Sequence, residues 1–231
     1  MNGVARAMTA CFATTVVVVA ASYLIPEDWS ATFVGCAFLT ATYWLSIRHR
    51  DDEVVRHHGL SLGGLFETEP LQLKRLLRDG ATAVAWALGT AVVVFPPFVV
   101  GFVWFWHPHS SFVFAPISTL TQEITGQLFV VALPEEAFYR GYLQTALDDT
   151  WKKRFYFFGG YLSPAVVVSS ALFAVGHLLT EPNLNRLAVF FPSLLFGWLR
   201  TRTKGIGSGV AFHALCNLFS AYLGRSFGMW S

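Results

Sequence analysis

ITGQLFVVALPEEAFYRG, residues 124–141, sets two adjacent acids and an arginine behind eleven residues without a charge. Such groups sit at the depth of a hydrophobic segment rather than on a wetted surface. The same poverty of charge extends outward in both directions. Ala7 to Pro26 and Trp29 to Ile47 carry no charge, and between Ala81 and Pro134 only Glu123 does. Phe155 to Thr180, Leu187 to Leu199 and Gly205 to Gly224 are also charge-free. A bilayer core takes about 20 mostly apolar residues per helical crossing. The pattern predicts an all-α, polytopic membrane protein with about seven crossings, near 7–25, 29–47, 82–106, 119–145, 161–179, 186–200 and 206–223.

Composition agrees. The 231 residues are 54% hydrophobic and 13% charged, against roughly 25% charged in soluble domains. Lys+Arg number 16 and Asp+Glu 14, a net charge of +2, so there is no basic stripe for a phosphate backbone and no nucleic-acid partner is expected. Cys11, Cys36 and Cys216 are too few and too scattered for a disulfide framework or a zinc knuckle. Trp29, Trp44, Trp104, Trp106, Trp151, Trp198 and Trp230 fall near span ends, as in an interfacial aromatic belt, whereas Trp86 reads as core. The first apolar run is long for a cleaved signal and a second follows at once, so it is expected to stay as a helix.

Arg48, Arg50, Arg56, Lys74, Arg75 and Arg78 lie in the 48–80 loop, Lys152, Lys153 and Arg154 after the fourth span, and Arg200, Arg202 and Lys204 after the sixth. The opposite loops hold only Arg186 and Arg225. This alternation places the N-terminus in the cytoplasm and the C-terminus outside. Leu71, Leu73, Leu76 and Leu77, with Lys74, Arg75 and Arg78 around them, read as a short amphipathic helix on the cytoplasmic face, the alternative being a solvated linker. No repeat or second domain is evident. Residues 1–231 read as one integral-membrane domain, with the motif-bearing part at about 119–223.

Ionisable groups at membrane depth are costly and mark function. On a helix Glu135 and Glu136 point about 100° apart. Glu136 shares a face with Arg140 and can pair with it, which leaves Glu135 on a second face with Tyr139. Pro134 lacks an N–H, so the carbonyl of Val130 is expected to be freed and the helix kinked. His177 stands late in an apolar span, where histidines are often merely packed or hydrogen-bonded. His213 and Asn217 lie one turn apart and can aim at one oxygen, or clamp two helices together. Phe191-Pro192, Phe196-Gly197 and Arg200 read as a close helix approach or a kink, with an interfacial arginine. Acid, imidazoles and amide are what hydrolysis by water requires. Counting about 1.5 Å per residue, Glu135, His177 and His213 meet only if the helices are staggered or tilted.

Glu-Glu-x-x-x-Arg at 135–140, Phe-x-x-x-His at 173–177 and His-x-x-x-Asn at 213–217, each in its own hydrophobic span, resemble the CAAX prenyl protease and bacteriocin-processing (CPBP) family, which includes Rce1-type glutamic intramembrane endopeptidases. A myxosortase-like branch, proposed to process C-terminal sorting signals, is also similar. The resemblance implies that Glu135 is the general base, that His177 helps hold the water and that His213 and Asn217 form the oxyanion hole. Glu136 and Arg140 are implied to support them. It further implies no metal and no cofactor. The expected substrate is a membrane-tethered or C-terminal-anchor protein, cut in CAAX-type, leader-peptide or sorting-signal processing. The expected place is a bacterial inner membrane.

Rival signatures are weaker. There is no His-Glu-x-x-His and no Gly-Asp pair. Gly207-Ser208-Gly209 puts its serine on the same helix as His213, a poor dyad geometry. Cys216, three residues from His213, keeps a thiol mechanism open, and Glu135, His177 and His213 have the ligand types of a zinc site. A proton-coupled transporter, or a non-catalytic scaffold or immunity factor, would use the same residue types without hydrolysis.

Overall fold

The charge-free runs fold as helices. The computed structural model describes residues 3–48, 51–116 and 118–229. The expectations for Arg50 and Trp230 lie outside them. Helices α1 (Gly3–Leu24) and α2 (Glu27–Ile47) form an antiparallel hairpin across Pro26. After the short α3 (Asp52–His57) comes α4 (Leu73–Trp106). Helix α5 runs over residues 120–148, and a two-stranded hairpin, β1 (Phe155–Phe157) with β2 (Gly160–Leu162), follows it. Helices α6 (Pro164–Thr180), α7 (Phe190–Thr203) and α8 (Gly207–Ser226) close the bundle. This is an all-α polytopic membrane fold with one small hairpin. Helices α1, α2 and α4 are each long and apolar enough to cross a bilayer, and α6 is a shorter apolar helix of 17 residues.

The bundle is apolar outside and polar within. Val92, Val100 and Trp104 on α4 are 75%, 70% and 74% exposed, while Glu136 and Arg140 are 0% exposed. Water would punish that distribution, whereas lipid favours it, because side chains that satisfy one another's hydrogen bonds belong inside a membrane protein.

Contacts between loops and helix ends sort the bundle into two ends. At one end the Tyr23 hydroxyl donates to the carbonyl of Leu179 at 3.1 Å, joining α1 to α6. Arg225 of α8 makes a two-pronged ion pair with Glu123 of α5 at 2.7 and 2.8 Å at that end too. At the other end the N–H of Ile206 donates to the carbonyl of Gly59 at 3.0 Å, and the Trp198 indole donates to the carbonyl of Phe157 at 3.0 Å.

Several local expectations change. The leucine stripe is not a separate surface helix: from Leu73 onward it is the first turns of α4, and the loop's own short helix is α3. Nor is Arg200 an interfacial arginine. It is 9% exposed, and its guanidinium donates to the carbonyl of His57 at 2.7 Å, tying the loop to α7. Trp86 is half-buried, edge-on to Trp198 and beneath the guanidinium of Arg202.

Pro134 interrupts α5 without ending it. The helix passes through π-type turns at Gly126–Ala132 and Ala137–Gln144, on either side of Leu133–Glu136. Gly35 of α2 lies against the Val130 carbonyl, the acceptor that Pro134 cannot satisfy. A Cβ on Gly35 would stand 2.6 Å from that oxygen. Gly35→Ala is therefore expected to destabilise the protein by about 1–3 kcal/mol, the usual penalty of overpacking. Gly89→Ala, where a Cβ meets nothing within 4 Å, is expected to be neutral or mildly stabilising. Thermal unfolding in detergent of both variants checks the contrast.

Outside the membrane, the 61–75 loop folds around Glu67. Arg75 grips its carboxylate with two bonds of 2.7 Å, the Ser61 hydroxyl donates at 2.6 Å, and the side chain is 0% exposed. The bonds from Arg75, more than any other cause, hold the Glu67 carboxyl down to about 2. A depressed carboxyl contributes stability that is complete above the ordinary carboxylate range and is lost as the pH falls through its folded value. Protection of the loop amides, relative to the unfolded chain, is expected to hold down to about pH 4 and to fall progressively from there toward pH 2. Glu67→Gln is expected to lower it already at neutral pH, read by hydrogen–deuterium exchange.

Candidate active site

The site is built on α5. Gln127, Val131, Glu135 and Tyr139 all line one cavity, a strict four-residue repeat. An α-helix of 3.6 residues per turn would carry such a repeat round its axis. The wider i→i+5 turns on either side of Leu133–Glu136 keep it facing one way. The cavity holds about 610 Å³ and is lined from α1, α2, α5, α6, α7 and α8. That lies within the span of about 300–1,000 Å³ common for ligand sites.

Beneath the cavity lies a buried ionic chain. Arg140 Nε stands 3.3 Å from Glu136 Oε2, so the expected pair forms, with neither side chain exposed. Arg140 also donates through Nη2 to the Ser193 hydroxyl at 2.6 Å and to the Ser193 carbonyl at 3.2 Å, reaching α7. Glu136 Oε1 meets His213 Nδ1 of α8 at 3.1 Å. His213 Nε2 then stands 3.7 Å from Glu135 Oε2, an atom with no hydrogen-bond partner among the described residues. Phe196 stacks on the His213 ring at 4.7 Å and fixes its plane.

His177 and Asn217 line the same cavity. The helices are thus staggered as the depths of these residues demand. His177 Nδ1 lies 3.0 Å from the Phe173 carbonyl, which can only accept, so Nδ1 carries the proton. The neutral ring presents Nε2 as an acceptor. His213 follows the same logic: with Glu136 ionised, Nδ1 donates to it and Nε2 faces Glu135. Asn217 and His213 do not share an oxygen partner. The Asn217 amide donates to Gln127 Oε1 at 2.8 Å and keeps a second N–H free of it.

Gln127 and Ser193 were not among the candidates read from the sequence. Gln127 was legible, lying eight residues before Glu135 on the same repeat. Ser193 carried no signal, since one serine in an apolar helix has no spacing partner. Gly197 was read as a close approach, and a Cβ there would stand 2.7 Å from Val166 and 2.9 Å from Gln144. Cys216 lines the cavity as a free, partly buried thiol. Among the described residues no group of three His, Cys, Asp or Glu is arranged to hold a metal ion.

Among the described residues, Arg140 is the sole cationic side chain within salt-bridge reach of Glu136 besides the His213 ring. Arg140→Ala is expected to destabilise the protein by about 3–5 kcal/mol, the cost of stranding a buried charge. Arg140→Met with Glu136→Gln together is expected to recover most of that loss. Unfolding midpoints in detergent test both, and nitrogen NMR of labelled His213 is expected to show its proton on Nδ1 in the wild type.

Neither a curated protein nor a solved structure matches the chain. A family model does: type II CAAX prenyl endopeptidase, Rce1-like, over residues 117–219. That segment starts just before α5, ends within α8, and contains Glu135, Glu136, Arg140, His177, His213 and Asn217. Over this segment the chain is similar to the Rce1-like type II CAAX prenyl endopeptidases.

Proposed function

We propose that the cavity is the hydrolytic centre of a glutamic-type intramembrane endopeptidase, acting on a membrane-tethered or C-terminal-anchor polypeptide. The observation that carries this is Glu135 Oε2 facing His213 Nε2 at 3.7 Å on the floor of a cavity shared with His177 and Asn217. A water hydrogen-bonded at this place would be set beside the carboxylate that activates it.

In this reading Glu135 takes a proton from that water while His177 Nε2 accepts its other hydrogen. The hydroxide adds to the scissile carbonyl carbon. The oxyanion receives the free N–H of Asn217, and His213 Nε2 donates to it while holding the water's proton, which Glu135 passes to it and takes back before the C–N bond breaks. Glu135 then returns its proton to the leaving nitrogen and the C–N bond breaks. Glu136 and Arg140 are positioning residues, which hold His213 by its other nitrogen and lie outside the cavity lining. We place the chain in a bacterial inner membrane with its N-terminus in the cytoplasm and read residues 1–231 as one domain. Support comes from the basic loops and from a cavity walled by both the N-terminal hairpin and the C-terminal helices.

The test is cleavage of a tethered peptide by the reconstituted protein. Glu135→Gln is expected to lower kcat about 10²–10⁴-fold and Asn217→Ala about 10²–10³-fold, the ranges for a general base and an oxyanion donor. His177→Ala and His213→Ala are expected to abolish measurable turnover. Cys216→Ser and added chelator are expected to leave it within about twofold, since neither touches a general base or an oxyanion donor. Cleavage that survives Glu135→Gln sinks the glutamate reading. Loss with Cys216→Ser turns it to a thiol mechanism, and loss with chelator restored by zinc turns it to a metal one. A folded protein that cleaves nothing is the scaffold or transporter.

A further inference from the structure

The cavity has a floor and a mouth, and the two ends of the bundle differ in charge. Its lining reaches Ser22 and Glu27 at the α1–α2 turn and Thr180 and Arg186 at the α6–α7 turn. No described lining residue comes from the 48–80 loop, the β-hairpin or the turn between α7 and α8. The end that holds those three segments is packed solid. Val55, Leu143, Leu147, Leu199 and Ile206 are each 0% exposed. A Cβ on Gly141 would meet Leu60 at 2.7 Å, and Arg200 fills the space against Gly59. Among the described residues, none of that plug lines the cavity that holds Glu135.

The plugged end is also the basic end. Among the described Lys and Arg, only Arg186 and Arg225 lie at the mouth end, with Arg140 between the two ends. Both are committed to carboxylates, Arg186 to Glu181 at 3.2 Å and Arg225 to Glu123 at 2.7 Å. Lys and Arg mark the cytoplasmic ends of membrane helices. The mouth therefore belongs to the other face.

We infer that the cavity is entered from the extracytoplasmic face, so that its substrate is a membrane-anchored polypeptide whose scissile segment is presented on that face. A prenylated tail approaching from the cytoplasm meets the plug. The substrate half of this inference rests on the cavity being hydrolytic, and the access half does not.

The experiment separates the two. Single cysteines are introduced into a Cys11→Ser, Cys36→Ser, Cys216→Ser background and treated with a membrane-impermeant sulfonated methanethiosulfonate. The preparations compared are spheroplasts and inside-out vesicles. Ser30→Cys at the mouth and Ser220→Cys in the wall are expected to react in spheroplasts. Lys204→Cys, at the basic end, is expected to react only in inside-out vesicles. The opposite pattern, or modification of Ser220→Cys from the cytoplasmic side alone, overturns the access assignment. Two reporters then carry the same candidate segment on either side of one anchor helix. Cleavage confined to the extracytoplasmic reporter is expected. Cleavage of the cytoplasmic one overturns the substrate assignment. Cleavage of neither, with labelling as expected, removes the hydrolytic reading and the substrate assignment and leaves the access side standing.

Discussion

The molecule is organised around one carboxylate that no solvent reaches. Glu136 sits at zero exposure between Arg140 and His213. An ion so buried persists only if its charge is met by protein groups. Meeting it draws three helices together: α5 carries the pair, α8 supplies the imidazole, and Ser193 of α7 takes the far side of the guanidinium. Gly209 of α8 leaves the room, since a Cβ there would lie 3.0 Å from Glu136 Oε2. The consequence for chemistry is a direction. A ring held by Nδ1 must turn Nε2 the other way, and that way lies Glu135.

The two adjacent acids therefore have different partners. Being about 100° apart on a helix, they cannot face the same surroundings. Glu136 is turned into the ionic chain and Glu135 into the cavity, where one oxygen has no partner among the described residues. Their separation was legible in the sequence, as were the Glu136–Arg140 pair and the helices. Spacing along a single helix reports which side chains share a face, so these followed from local rules.

What the sequence did not show depends on what neighbours do. The leucine stripe at 71–77 has the pattern of a surface helix, but nothing between it and the next apolar run breaks the helix, so α4 simply starts earlier. Arg200 reads as interfacial because it ends a span, yet the loop that carries His57 folds over it and buries it. Pro134 reads as a kink, whereas π-type turns absorb the missing bond on both sides and Gly35 accommodates the freed carbonyl. Each outcome was decided by a second segment far away in the chain.

The family match and the cavity do not cover the same ground, and the difference has a physical meaning. The matched segment, 117–219, holds the acid, both imidazoles, the amide and the ionic chain beneath them. The facing wall comes from outside it: Val18 and Ser22 of α1, and Ser30, Val34 and Phe38 of α2. Chemistry constrains the first wall to angles and distances that few substitutions respect. The second wall has only to fit the flanks of a peptide while the bond is cut. Packing joins the two at Gly35 against Val130, and at Phe38 against Tyr139, whose rings lie 5.6 Å apart. A shift of α2 at these contacts widens or narrows the cleft without disturbing the ion chain. In the proposed reading, discrimination among substrates falls to the N-terminal hairpin, and bond cleavage to α5, α6 and α8.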